Sequence, residues 1–299
     1  MLSTALPATP ATAEDGVLLR PMTPDDLPQA QALSAELRWP HRLADWEQVF
    51  AHSEGLVAER DGQTIATAQR WKWGDRHATI GLVLVTPACQ GRRIGHRLMT
   101  TLLDGLDGHT VLLHATAEGR GLYERLGFVR TGEVRQHQGV ARPTPLIALP
   151  PSWRLRPSGL NEAAALHRLD AQARGMPRDA LIDDLLARSD ACVVLDHDGE
   201  QRGFALLRRF GRGHAIGPVV APDAESAKAL IAHLAGMNAG HFTRIDIDFD
   251  SGLAEWLESI GLLRVDAPTT MVRGGTLPTA SDAPHGTPRL FALATQALG

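Results

Sequence analysis

Cysteine is nearly absent from the chain, which has only Cys89 and Cys192. Two thiols cannot make a disulfide framework, and no Cys/His spacing resembles a zinc site. The chain reads as a protein of a reducing, cytoplasmic interior, with no metal. Long apolar runs are missing too: no stretch approaches the roughly 18 residues of a membrane span. The opening residues, MLSTALPATPATAEDG, lack the positive n-region and apolar run of a secretory signal. Neither sign of charge dominates, with 30 basic against 34 acidic side chains and a pI near 6.3. That balance gives no general pull toward nucleic acid or an anionic membrane. Lysine is confined to Lys72 and Lys228, which reads as a coding bias toward arginine. Tyrosine occurs once, at Tyr123, in a chain with six tryptophans and seven phenylalanines.

What is present is ordinary for a soluble globular protein: 43% hydrophobic and 21% charged residues over 299 positions. The length suggests two domains, and the sequence repeats itself accordingly. VLLRPMTPDDLPQAQAL (17–33) is echoed by WRLRPSGLNEAAALHRL (153–169), each a short strand ending in Arg-Pro and then a helix. LVAERDGQTIATAQRW (56–71) is echoed by CVVLDHDGEQRGFALLRRF (192–210), β-rich runs flanking an Asp-Gly turn. ATIGLVLVTP (78–87) pairs with HAIGPVVAP (214–222), and VLLHATAEGRGLYERLGFVRT (111–131) with RIDIDFDSGLAEWLESIGLLRV (244–265). Four echoes in one order at one offset imply two copies of an α/β unit, each β-α-α-β-β-β-α-β-α-β. The fold class is therefore α/β, two tandem domains each with a twisted mixed sheet flanked by helices. Expected boundaries are a disordered start (1–15), a first domain (16–142), a linker around PTPLIALPPS (143–152), a second domain (153–274) and a tail (275–299). Both ends are rich in Ala, Thr, Pro and Gly, the composition of mobile chain.

Between the strand GLVLV (81–85) and a helix starting near Ile94 lies TPACQGRRIGHRLM (86–99). Small residues at a helix N-terminus let backbone N–H groups cradle an anion. Gln90, Gly91 and Gly95 suit such a turn, and Arg92, Arg93 and Arg97 add positive charge suited to phosphate. The other reading of these residues is an arginine-rich, solvated first turn. Arginine at a helix start opposes the macrodipole, a conflict that a bound anion removes.

The layout of strand, phosphate loop, helix, strand and a helix carrying LYERLGF resembles the GNAT acyltransferases, over about 17–140. The resemblance implies acetyl-CoA or another acyl-CoA as co-substrate, bound by the loop pattern Gln/Arg-x-x-Gly-x-Gly/Ala. Here the pattern reads Gln90-Gly91-Arg92-Arg93-Ile94-Gly95, with Arg93 in place of the first family glycine; His96 and Arg97 follow. It also implies that Tyr123 gives a hydrogen bond or proton to the departing thiol sulfur. Backbone N–H groups near Leu84 and Val85 would hold the thioester oxygen and the pantetheine arm, where strands 81–85 and 110–114 splay apart. The second copy has the acidic DAESAKAL where the loop should be, and Leu257 where Tyr123 should be. It resembles the degenerate C-terminal half of tandem bacterial GNAT proteins, some of the YitH type, over roughly 153–273.

The general base is open. Many GNATs carry a glutamate on the strand before the loop, whereas HATIGLVLV (77–85) has none; His77, His114 and Glu118 are the nearby titratable residues. For the acceptor, Asp246, Asp248 and Asp250 share one face of a strand and its exit and could attract a cationic amine. Trp71 and Trp73, with Arg70, either line an acceptor pocket or cap the core. The leading expectation is an acyl-CoA-dependent N-acyltransferase acting on a small-molecule amine or amino acid derivative, with no nucleic-acid or membrane partner. The alternative is a CoA-responsive binding or regulatory protein with a non-catalytic cleft. Acyl transfer to a hydroxyl, decarboxylation and acetylation of a protein are further possibilities. Oligomeric state is not legible.

Overall fold

A computed structural model of the chain describes residues 11–12, 16–278 and 286–299. The remainder of the expected disordered start and part of the expected tail lie outside the described residues. The chain divides into two compact units. One comprises residues up to Val129 with Met271–Gly275 and Leu298; the other comprises Arg130–Thr270, Thr276–Ala297 and Gly299.

The first unit runs β1 (Ala11–Thr12), β2 (Leu18–Pro21), α1 (Leu27–Glu36), α2 (Leu43–Phe50), β3 (Glu54–Arg60), β4 (Gln63–Trp73), β5 (His77–Val85), α3 (Ile94–Leu103), β6 (Thr110–Ala115) and α4 (Arg120–Arg125). Strands β1 to β5 pair antiparallel in sequence order, and β6 joins β5 in parallel. Asp61 and Gly62, both at positive φ, make the tight turn between β3 and β4. On α3 the buried residues Ile94, Leu98, Met99, Leu102 and Leu103 fall on one face, the spacing of a helix packed on a sheet. That face meets Ala66, Ala68, Ile80 and Val111 in a core that also takes Tyr123, Phe128 and Met271.

The second unit repeats the order: β7 (Val129–Val140) lies before β8 (Trp153–Pro157), α5 (Ala163–Arg174), α6 (Asp179–Arg188), β9 (Ser189–His197), β10 (Glu200–Phe210), β11 (Gly213–Ala221), α7 (Ala224–Met237), β12 (Phe242–Asp248), α8 (Ala254–Ser259) and β13 (Leu263–Asp266). Strands β14 (Thr269–Arg273) and β15 (Arg289–Ala292) follow. β7 pairs antiparallel with β12, from Val140↔Phe242 to Val134↔Asp248, and β13 lies along β7 as well. The strand that closes the first repeat in sequence is thus counted with the second unit, and β14 from Met271 onward with the first.

The repeat is visible in its polar joints. Arg20, at the end of β2, clasps Asp26 with two bonds of 2.7 and 2.8 Å and also reaches Glu59 at 2.8 Å. Arg156, at the end of β8, clasps Glu162 with two bonds of 2.7 Å and reaches Asp196 at 3.1 Å. The Arg-Pro echo therefore marks a guanidinium that pins a strand end to the start of the next helix and to a neighbouring strand. The mobility suggested by composition fails for the far end of the chain: Phe291, Ala292, Leu293 and Ala294 are each 3% exposed or less. Composition read that stretch as mobile because it ignores pairing, and β15 finds its partners in the distant strands β11 and β12.

Candidate active site

The site of interest in the first unit begins with a divergence. Strands β5 and β6 pair only over His77–Thr79 and Thr110–Leu112, and then separate. An irregularity in the β4–β5 ladder lies at the parting, where Leu82 takes φ +51° and its carbonyl accepts a 2.8 Å bond from the Thr67 hydroxyl. A bulge of this kind bends a strand and increases its twist, and here it turns the end of β5 away from β6. Nothing in the sequence singles out Leu82 or Thr67, and sequence reasoning missed both.

Beyond the bulge, the Thr86 N–H donates to the Ile65 carbonyl at 2.9 Å, with Val85 opposite Ala66 and Leu84 opposite Thr67. In an antiparallel ladder bonded and non-bonded pairs alternate. The Leu84 N–H therefore turns toward β4, and the Val85 N–H turns toward the side that β6 has vacated. Val83 and Val85 are half-buried, while Leu84 is in the core.

The loop after β5 is open. The side chain of Gln90 folds back to donate to the Val85 carbonyl at 3.1 Å. Gly91 has φ +76°, and a Cβ there would meet nothing within 4 Å. Arg93 is the residue preceding α3 and sits in the left-handed region at φ +61°, ψ +11°. That conformation is easy for glycine and costs an L-residue roughly 1–2 kcal/mol. The geometry thus explains why the resembling family has glycine at this position and why arginine here is strained. Among the described residues no side chain caps α3, and Gly91, Arg92 and Arg93 are all exposed. The second unit differs: the carboxylate of Asp223 accepts the Ser226 N–H at 2.7 Å and closes the start of α7. Among the described residues one repeat leaves its helix N-terminus, with its positive dipole end, without a side-chain cap, and the other fills it.

The remaining loop residues take separate places. Ile94 is buried in the core, Gly95 packs near Leu122 and Val85, and His96 is exposed beside Thr100. Arg97 points toward β2, where its Nη2 donates to the Val17 carbonyl at 3.2 Å. Of the three arginines, Arg92 and Arg93 are the ones exposed at the loop.

Tyr123 lies on α4, packed edge-on to Phe128 with ring centroids 6.1 Å apart. Its ring also covers Gly119, where a Cβ would stand 3.0 Å from Cε2. The residue is 8% exposed, and no group among the described residues hydrogen-bonds its hydroxyl. Burial pushes the phenol pKa above its ordinary value, so the hydroxyl keeps its proton through the neutral range. The Phe128 N–H returns to the Tyr123 carbonyl at 3.0 Å, as the Leu262 N–H returns to Leu257 at 2.9 Å, which makes Leu257 the counterpart of Tyr123 in the second unit.

The other candidates fall elsewhere. His77 stands at the paired end of β5, a strand length of roughly 26 Å from Val85 at about 3.3 Å per residue. Burial, then the neighbouring His109 and Arg76, hold its pKa below the usual imidazole value. Glu118 is exposed and His114 half-buried. Trp71 is wholly buried and donates to the Val49 carbonyl at 2.8 Å, and Trp73 donates to the Thr79 hydroxyl at 3.0 Å. With both indoles internally satisfied, they cap the core. Arg70, also buried, bonds the carbonyls of Leu102 and Asp104 and ties down the C-terminal end of α3. In the second unit Asp246 shares its strand face with Arg244, which takes its carboxylate at 2.8–3.1 Å. Asp248 is pushed up to about 6, by burial first and then by Asp250. Among the described residues no cluster of three or more His, Cys, Asp or Glu could hold a metal, and no helix is long and apolar enough to cross a membrane.

The chain matches family models twice, each described as an acetyltransferase (GNAT) domain, over residues 29–142 and 166–284. It is 30% identical over 230 residues to the uncharacterized N-acetyltransferase YitH of Bacillus subtilis, covering 75% of this chain and 77% of that one. In structure it is similar to a candidate acetyltransferase from Pyrococcus horikoshii, with a TM-score of 0.76 and 21% identity over 97% of this chain and 98% of that chain. A tandem GNAT protein from the clavulanic acid biosynthesis pathway is similar as well, with a TM-score of 0.60 and 13% identity over 87% of this chain and 99% of that chain.

Proposed function

Because the chain belongs to the GNAT acetyltransferase family, we propose that its first unit binds acetyl-CoA and transfers the acetyl group directly to the amine of a small molecule or amino acid derivative. That the protein is a GNAT-type N-acetyltransferase follows from the family; the acyl group, the acceptor and the residue roles are the proposal. The observation that carries it is Tyr123, a buried phenol with a raised pKa whose hydroxyl has no partner among the described residues, in the repeat whose strands part and whose helix start no described side chain caps. The loop fits a pyrophosphate: Gly91 faces open space, α3 begins without a side-chain cap, and Arg92 and Arg93 supply positive charge. The Val85 N–H is the donor best placed to hold the thioester or the pantetheine arm.

In this reading the acceptor nitrogen attacks the thioester carbonyl carbon, the C–S bond breaks, and the leaving sulfur accepts a hydrogen bond from Tyr123. The surplus proton of the new amide nitrogen leaves through water. The phenol pKa lies above that of a thiol, about 8.5, so transfer to a free thiolate is uphill. Tyr123 acts by staying protonated and hydrogen-bonding the charge that develops on the departing sulfur, and any proton the sulfur keeps is replaced from the amide nitrogen. With no carboxylate on β5, an ammonium acceptor loses its proton to water before it attacks, and an amine that arrives neutral needs no base at that step.

A thiol-release assay with acetyl-CoA against a panel of small amines and amino acid derivatives tests the proposal. Amine-dependent release well above hydrolysis is expected. Acetyl-CoA binding with no release for any amine would instead support the regulatory reading, which the strained Arg93 and the absence of a glutamate from β5 favour.

A further inference from the structure

In the second unit the strands corresponding to β5 and β6 also pair briefly and part. β11 and β12 are in register only over His214–Ile216 and Thr243–Ile245. Here the gap is filled by the chain itself. β15 runs antiparallel to β11, with Val219 opposite Ala292, Val220 opposite Leu290 and Ala221 opposite Arg289, and Ala292 also faces Ile247 of β12. The Leu293 N–H extends the pairing to the Asp246 carbonyl at 2.8 Å. Among the described residues no strand occupies the corresponding gap between β5 and β6.

The slot is built around this backbone. A Cβ at Gly217 would overlap the Leu293 carbonyl oxygen, so only glycine lets the segment approach. Arg208, itself buried and stacked 5.1 Å over the Phe210 ring, donates to the Ala294 carbonyl. Arg178, fixed by Asp170 at 2.7 and 3.0 Å, donates to the Gly299 backbone oxygen. The Gln296 amide reaches Gln136 and Asp246 at 3.2 and 3.3 Å. Phe291 and Ala292 enter the core of the unit beside Val219, Ile247 and Leu230. Backbone pairing on both sides and donors aimed at main-chain carbonyls are features of strand addition, and here five successive residues, Phe291 to Thr295, are all buried.

We propose that the gap between β11 and β12 is a binding site for an extended peptide, and that residues 289–299 are its resident ligand. The second unit therefore takes a peptide strand where, among the described residues, the first unit has none, and it has no acyl-CoA site. This holds whatever acceptor the first unit uses.

The test compares the full chain with a chain ending at Gly286, using thermal melts, hydrogen exchange and equilibrium binding of acetyl-CoA. The shortened chain should lose a stabilised transition. A synthetic peptide of residues 287–299 should restore it in a concentration-dependent way, with a scrambled peptide inert. If the shortened chain does not fold, the full-length Ala292→Asp variant replaces it. Its amides in β15 and in Val219–Ala221 should then lose protection together, by tenfold or more, while those of β3 and β4 keep theirs. An unchanged melt, a folded shortened chain that ignores the peptide, or loss of protection confined to β15 would overturn the proposal. So would a second molecule of acetyl-CoA bound per shortened chain, which would make the gap a cofactor cleft and β15 its plug.

Discussion

Replacing Tyr123 with phenylalanine separates packing from chemistry. The ring keeps its edge-on contact with Phe128 and its cover over Gly119. The deleted hydroxyl leaves no orphan behind, since nothing among the described residues bonds it. Stability should therefore change by no more than about 0.5 kcal/mol, the range of a substitution that breaks no contact. Turnover should behave differently: loss of the group that donates to the leaving sulfur lowers it by roughly 10²–10⁴, about 3–5 kcal/mol of barrier. The KM for acetyl-CoA should stay within a few-fold. Since burial raises the phenol pKa, the wild-type rate should also show no falling limb from tyrosine ionisation at pH 8–9. The assay is steady-state thiol release on both proteins, paired with urea melts. Equal turnover refutes the role of Tyr123. A melt that collapses in the variant refutes the structural premise, because the hydroxyl would then have been holding something.

Two further perturbations probe the frame around the site. Arg93→Gly relieves a left-handed arginine but adds glycine's flexibility to the unfolded chain, so the net stabilisation should be about 0–1 kcal/mol; a clear loss by urea titration would mean that the Arg93 side chain has a structural partner. The Arg156 guanidinium, then the Ser158 hydroxyl, hold Glu162 down at about 2. A carboxylate lowered on folding stabilises above its unfolded pKa, about 4.3, and loses that contribution as pH falls toward 2. Glu162→Gln should accordingly cost about 1–2 kcal/mol at pH 7 and almost nothing extra near pH 2. Melts of both proteins across that window check the sign, and a variant deficit that grows toward acid would contradict it.

The repeat was legible because it is written in local patterns. Arg-Pro before a capped turn, Asp-Gly between β-rich runs and Gly-Phe or Gly-Leu after a short helix each specify structure over a few residues. Arg20 with Asp26 and Arg156 with Glu162 make the same clasp. The strain at Arg93 was readable only as a departure from the family's glycine, and its left-handed φ is the physical reason for that glycine. What was not legible depends on distant partners. Nothing local distinguishes a Val129–Val140 strand that pairs with β12 from one that completes the repeat in which it is written. RLFALA looks like the end of a mobile, Thr/Pro-rich stretch until the gap between β11 and β12 gives it two neighbours. The bulge at Leu82 escaped for a related reason: it is set by the mismatch between two strands, not by the residue that bears it. Trp71 and Trp73 carried two readings because alternation alone does not say which sheet face is covered.

The central claim is that the uncapped start of α3, with its two exposed arginines, holds acetyl-CoA, and isothermal titration tests it most directly. Acetyl-CoA is titrated into the wild type and into an Arg92→Glu/Arg93→Glu variant; Arg97 is left in place because it is bonded to Val17. The account predicts one molecule bound per wild-type chain and binding weakened at least a hundredfold in a variant that melts normally. Equal binding by both proteins, or two molecules per chain, would contradict it.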